Sequence, residues 1–153
     1  MNIEYKSFET VNEEQLQQLY ELNTQIFSEF TEPWSKEKIA QTVQNMSGCH
    51  LIFAYQDNKV VGFKGGYRHS GRRFYSWLGG VLKEFRGHGI AKEMLILQHQ
   101  YAKEFGYEVV ETRTKNRFKN MLIANIKFGF QITGTTMSPG DTEPVLILEK
   151  NLN

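Results

Sequence analysis

The spacing of hydrophobic positions switches between two periods along this chain, and the switches mark its elements. Residues 3–8, I-E-Y-K-S-F, read as a short strand. Asn12 followed by Glu13-Glu14 reads as a helix cap with an acidic first turn. Leu16, Leu19, Tyr20, Ile26, Phe27 and Phe30 then recur at helical spacing, up to a stop near Thr31-Glu32-Pro33. Ser35 opens a second helix that reaches about Gln44. Residues 50–56 and 59–68 read as strands around a turn at Asp57-Asn58, and Ser70-Gly71 marks another turn. Residues 72–82 form a third apolar strand, interrupted by Gly79-Gly80. Ile90, Met94, Leu97, Tyr101 and Phe105 lie on one stripe of a long helix that Gly106 terminates. Residues 107–114 are rich in β-formers. Lys119–Phe128 is a shorter helix with Met121, Leu122 and Ile126 on one side, closed by Gly129. Residues 130–136 and 144–150 are the last strands.

The resulting order, β-α-α-β-β-β-α-β-α-β-β, places a long antiparallel section before a β-α-β unit. It predicts an α+β fold with a mixed, mostly antiparallel central sheet flanked by helices. Prolines stand only at 33, 139 and 144, no linker or repeat divides the chain, and 153 residues suit one domain spanning 1–153. Aromatic residues make up 13%, enough for a substantial core.

Charge narrows the function. Lys and Arg number 18 against 17 Asp and Glu, so no basic excess points to nucleic acid. Apolar runs of about five residues fall far short of the roughly 20 that a membrane span needs, and no signal peptide is expected. A single cysteine, Cys49, excludes an internal disulfide and suits a reducing, cytoplasmic setting. His50, His69, His99 and Cys49 share no metal-ligand spacing, and no metal is expected.

The most informative stretch is Trp77–Lys92, W-L-G-G-V-L-K-E-F-R-G-H-G-I-A-K. A strand ends there, a glycine-bearing loop turns, and a long helix starts at once. Backbone N–H groups of such a loop, added to the positive end of the helix, suit a pyrophosphate. Arg86 adds a permanent cation. The loop is not a Walker A sequence, because Gly-Lys-Ser/Thr is absent. It is not the dinucleotide G-x-G-x-x-G either, because Lys92 stands at the third glycine position.

Arg86-x-x-Gly89-x-Ala91 resembles the R/Q-x-x-G-x-G/A signature of the GNAT family of acetyl-CoA-dependent N-acetyltransferases. Residues 125–130, N-I-K-F-G-F, resemble that family's closing helix and G-F turn, and the element order matches its fold. The resemblance implies a splayed pair of strands that admits acetyl-CoA as co-substrate. Gly79-Gly80 would supply a bulge at the splay, and Val81 would offer main-chain groups to the pantetheine arm. N–H groups near Gly80 and Val81 would hold the thioester oxygen. Gly87, His88, Gly89, Ile90 and Ala91 would hold the pyrophosphate beside Arg86, with Asn116 or Asn120 as a further cofactor contact.

The implied chemistry is direct attack of an amine on the thioester. A lysine-like amine, with pKa ~10.4, is neutral at pH 7 only about once in a few thousand molecules, so a base is needed. Glu111, on the strand after the long helix, is the candidate base, against a solvent-facing carboxylate as the plainer reading. Tyr75, with Tyr67, lies where an acceptor would arrive, against core packing or an ordinary hydroxyl hydrogen bond as the plainer reading, and Trp34 in F-T-E-P-W is a candidate acceptor wall or a helix-packing anchor. Arg68, Arg72 and Arg73 read as a solvated hairpin tip or a contact for an acidic group. Where the family often places a tyrosine acid, this chain has Asn125, which cannot donate a proton at neutral pH but can offer an amide hydrogen bond. The expected acceptor is a small-molecule, peptide or protein amine. A homodimer is left open, with no membrane or nucleic-acid partner. The rival reading is a non-catalytic acyl-CoA sensor, and a nucleotide-binding module of another class is a more distant one.

Overall fold

The computed structural model describes all of residues 1–153. Its elements run β1 (Glu4–Phe8), α1 (Glu13–Phe27), α2 (Lys36–Asn45), β2 (His50–Gln56), β3 (Lys59–Ser70), β4 (Arg73–Val81), a short 3₁₀ turn (Lys83–Phe85), α3 (Ile90–Glu104), β5 (Val109–Lys115), α4 (Lys119–Lys127), β6 (Gln131–Thr136) and β7 (Val145–Asn151). Local chemistry explains their limits. The Asn12 side chain accepts from the Gln15 N–H at 2.8 Å while the Gln15 side chain accepts from the Asn12 N–H at 3.0 Å, closing a capping box. The Ser35 hydroxyl caps α2. Asp57 and Asn58 both take positive φ, as the tight β2–β3 turn requires.

The strands form one seven-stranded sheet in the order β1-β2-β3-β4-β5-β7-β6. Every pairing is antiparallel except β4 with β5, the one the intervening α3 makes parallel. A Cβ on Gly80 would strike Ile26 of α1 at 2.8 Å, whereas one on Gly62 would touch Met94 of α3 at 3.3 Å. Gly62 pairs with Val81, the neighbour of Gly80, so α1 and α3 cover opposite faces. One apolar core joins α1, α2 and the start of α3 to β2 and β3. A second joins the later part of α3 to β5 and β7, with Leu122 and Phe128 of the α4 region packed on it.

Several expectations need correction. α1 ends at Phe27, because the next residues tighten into a turn in which the Phe30 and Thr31 N–H groups both donate to Phe27 O; Phe30 is left exposed. The α3 stripe holds at Ile90 and Met94, then rotates onto Leu95, Gln98, His99 and Ala102, leaving Phe105 53% exposed. α4 buries no residue fully, and Met121 and Ile126 face outward. The bulge lies at Trp77, since Gly65 pairs with Leu78 and Gly66 with Ser76, while Gly79 and Gly80 pair regularly with Lys64 and Phe63.

Candidate active site

The parallel pairing of β4 with β5 is short. It covers Arg73, Tyr75 and the residue between them against Val109–Glu111 and then stops. β4 continues to Val81 on its β3 side alone, so its other edge is open beyond Tyr75. Side chains close both ends of this open stretch. The Thr112 hydroxyl donates to Ser76 O at 3.3 Å, and Arg86 Nε donates to Val81 O at 3.1 Å. Between them lies an unpaired strand edge, which is a template for a ligand carrying amides.

The loop beyond β4 completes the site. Gly87 and Gly89 take φ of +80° and +79°, and a Cβ on either would meet nothing within 4 Å. Glycine is therefore required by backbone conformation and not by space. The N–H groups of residues 87–92 find no backbone or side-chain acceptor in the chain. They cluster at the positive end of the 15-residue α3, the arrangement that binds anions. A cavity of ≈ 240 Å³ opens there, lined in part by Val81, Arg86, Gly87, Gly89, Ile90 and Ala91. His88 is exposed and does not line it, so it offers its main chain only. Asn116 precedes α4 and Asn120 lies in its first turn; both are exposed, and neither lines this cavity. Asn125 is half-buried on α4, and its side-chain amide makes no hydrogen bond.

On the face covered by α1, aromatic rings line the approach to the open edge. Trp34 and Trp77 have centroids 5.6 Å apart, Tyr67 and Trp77 6.3 Å, and Tyr67 and Tyr75 5.4 Å. The Trp77 indole N–H is buried among them with no partner. Glu111 is opposite Tyr75 in register and only 5% exposed, not the solvent-facing carboxylate of the plainer reading. Arg113 Nε lies 3.2 Å from Glu111 Oε2, and Arg73 lies 3.8 Å from Oε1 and 2.8 Å from Glu149. A carboxylate this deep needs such partners. Burial, and next the neighbouring Tyr67, push the Tyr75 hydroxyl up to about 12, so it keeps its proton at neutral pH. The Arg73 expected at a solvated hairpin tip is thus part of this ion-pair network, whereas Arg72 pairs at the surface with Glu108.

The glycine loop and Arg86 were legible in the sequence. The side-chain bridge from Thr112 to Ser76 was not, because it depends on which strands become neighbours.

Comparison with known proteins gives the family and the fold. Residues 16–130 match the family described as the Acetyltransferase (GNAT) family. No curated protein matches the sequence. An acetyltransferase of the GNAT family from Staphylococcus aureus Mu50 is similar in structure, with a TM-score of 0.82 at 18% identity over 99% of this chain and 100% of that one. The PaiA N-acetyltransferase of Thermoplasma acidophilum, in complex with coenzyme A, gives 0.74 at 18% identity over 99% of each chain. The ribosomal-protein-S18-alanine N-acetyltransferase of Escherichia coli gives 0.81 at 11% identity over 97% and 94%. Those likenesses carry the fold, and the match over most of the chain carries the family: this protein belongs to the GNAT family of acetyltransferases.

Proposed function

We propose that the protein transfers the acetyl group of acetyl-CoA to an amine by direct attack on the thioester. The observation that carries this is the row of unsatisfied N–H groups at 87–92, set beside the open edge of β4. In this reading those N–H groups hold the pyrophosphate, with the free face of the Arg86 guanidinium as counter-charge. The β4 edge at Gly79, Gly80 and Val81 pairs with the pantetheine amides, and N–H groups there receive the thioester oxygen. Asn116 or Asn120 contacts the cofactor from the side of α4.

The acceptor enters from the α1 face, against Trp34, Trp77, Tyr67 and Tyr75. Glu111 takes the amine's proton, directly or through water, while Arg73 and Arg113 fix its carboxylate. Tyr75 keeps its own proton and orients the acceptor by donating a hydrogen bond. Asn125 offers its free amide to the sulfur. The four rings favour an amine attached to an apolar or aromatic group, whether small molecule, peptide or protein N-terminus.

The test has two stages. Acetyl-CoA in large excess should raise the melting temperature by roughly 5–10 °C, since ligand at about 100 times its Kd adds ~2.7 kcal/mol. ADP and NADH should raise it far less. An amine panel should then release CoA thiol only when an amine is present. Binding without release from any amine would favour the acyl-CoA sensor, and no binding would sink both readings.

A further inference from the structure

Lys64 stands in the middle of β3, on the face covered by α3, and makes neither an ion pair nor a hydrogen bond. It is half-buried, and no carboxylate partners it. It is opposite Gly79 in register, and its Cγ is 3.4 Å from where a Gly79 Cβ would stand. Gly79 has no side chain, which leaves space beside Lys64 above β4, the strand that borders the open edge. His99 of α3 and Lys150 of β7 complete the charged surroundings on this face. Lys150 Nζ lies 3.4 Å from His99 Nδ1, and the His99 ring is held down to about 3 by burial, then by Lys150, then by Lys64. No carboxylate contributes to the titration of Lys64 or His99.

We propose that Lys64 is the general acid for the departing thiolate, the role that Asn125 cannot fill. The inference rests on the acetyl-transfer reading. The amine nitrogen attacks the thioester carbon and a C–N bond forms. When the tetrahedral intermediate collapses, the C–S bond breaks and its electron pair leaves on sulfur. The Lys64 ammonium gives sulfur a proton, becomes a neutral amine and recovers a proton from solvent. The proton shed by the acceptor nitrogen goes to Glu111 or water. Burial lowers Lys64 to about 8, close to the ~8.5 of a thiol, so the donor is matched to the leaving group and still mostly protonated at pH 7.

The experiment is single-turnover acetyl transfer against pH for the wild type, Lys64→Met and Lys64→Arg, with CoA affinity measured by calorimetry. The wild-type rate should fall above about pH 8. Lys64→Met should be at least tenfold slower, should lack that limb, and should bind CoA within about twofold of the wild type. Lys64→Arg keeps the charge but holds its proton, so it should be slowed as Lys64→Met is and should also lack the limb, and a wild-type rate in Lys64→Arg would overturn the acid role. A Lys64→Met protein with wild-type rate and profile would overturn the assignment and leave the acetyltransferase reading intact. If Lys64→Met does not melt cooperatively, Lys64→Arg decides, and an unmoved limb overturns it. A wild type that binds acetyl-CoA but acetylates no amine would overturn both.

Discussion

Arg86 serves the site twice. Its Nε clamps Val81 O, fixing the turn between β4 and α3, and the rest of its guanidinium remains free beside the unsatisfied N–H groups. Reversing its charge removes the clamp and sets a carboxylate against a pyrophosphate. Charge-assisted hydrogen bonds are about twice as strong as neutral ones. Arg86→Glu should therefore weaken acetyl-CoA binding at least tenfold while the protein still melts cooperatively, as calorimetry can measure. An unchanged Kd in the folded variant would remove Arg86 from the binding site. At this scale the sequence was readable wherever one residue's chemistry sufficed, as with Arg86 and the loop glycines. It was unreadable wherever the chemistry needed a neighbour from another strand. The ion pair of Glu111 with Arg73, and the unpaired state of Lys64, follow from strand register that no residue carries by itself.

The open edge of β4 is a property of elements. β5 meets β4 only at its start, and Thr112 bridges to Ser76 where the pairing ends. The order of these elements was legible, because turn residues and changes of period mark each boundary. The faces of α3 and α4 were less so. A hydrophobic stripe predicts burial only if the helix lies flat on its partner, and α3 rotates away from its stripe before Phe105. Two glycines separate the structural and functional sides of this region. Ile26 of α1 packs against Gly80 of β4, so Gly80→Ala forces a Cβ to within 2.8 Å of it. Overpacking of this kind costs about 1–3 kcal/mol, or roughly 3–10 °C in melting temperature. Gly89 has open space around it but a φ of +79°, so Gly89→Ala should cost about 1–2 kcal/mol through the backbone alone. Because Gly89 sets the start of α3, that variant should also lose cofactor affinity severalfold, whereas Gly80→Ala should lose mainly stability. Calorimetry and thermal melts on both variants separate the two roles. Equal losses of affinity would mean that the loop's conformation has no special part in binding.

At the scale of the whole molecule, the fold carries two histidines in neutral form. His50 lies 2% exposed, stacked on Tyr101 at 3.8 Å, and burial lowers it to about 4. His99 is lowered to about 3. Unfolded, each titrates near 6.5. Above pH 6.5 both are neutral in either state, and the stability of the neutral fold is fully present. As pH falls from 6.5 toward 4, the unfolded chain takes up protons that the folded chain refuses, so stability is lost. Each such proton contributes up to about 1.4 kcal/mol per pH unit, so the two together give a slope approaching twice that. Lys64 acts at the other end: its folded value of about 8 lies below the 10.5 of an ordinary lysine, so stability rises between those values. Urea unfolding from pH 4.5 to 6.5 should show the falling slope, before most carboxylates titrate. His99→Phe should remove about one proton from it, because Phe fills the place beside Phe130 without a titrating group. A wild-type stability that is flat across this range would mean that the buried rings take up protons without unfolding. The α3 face would then be wetter than its packing implies, and Lys64 would titrate as an ordinary surface lysine.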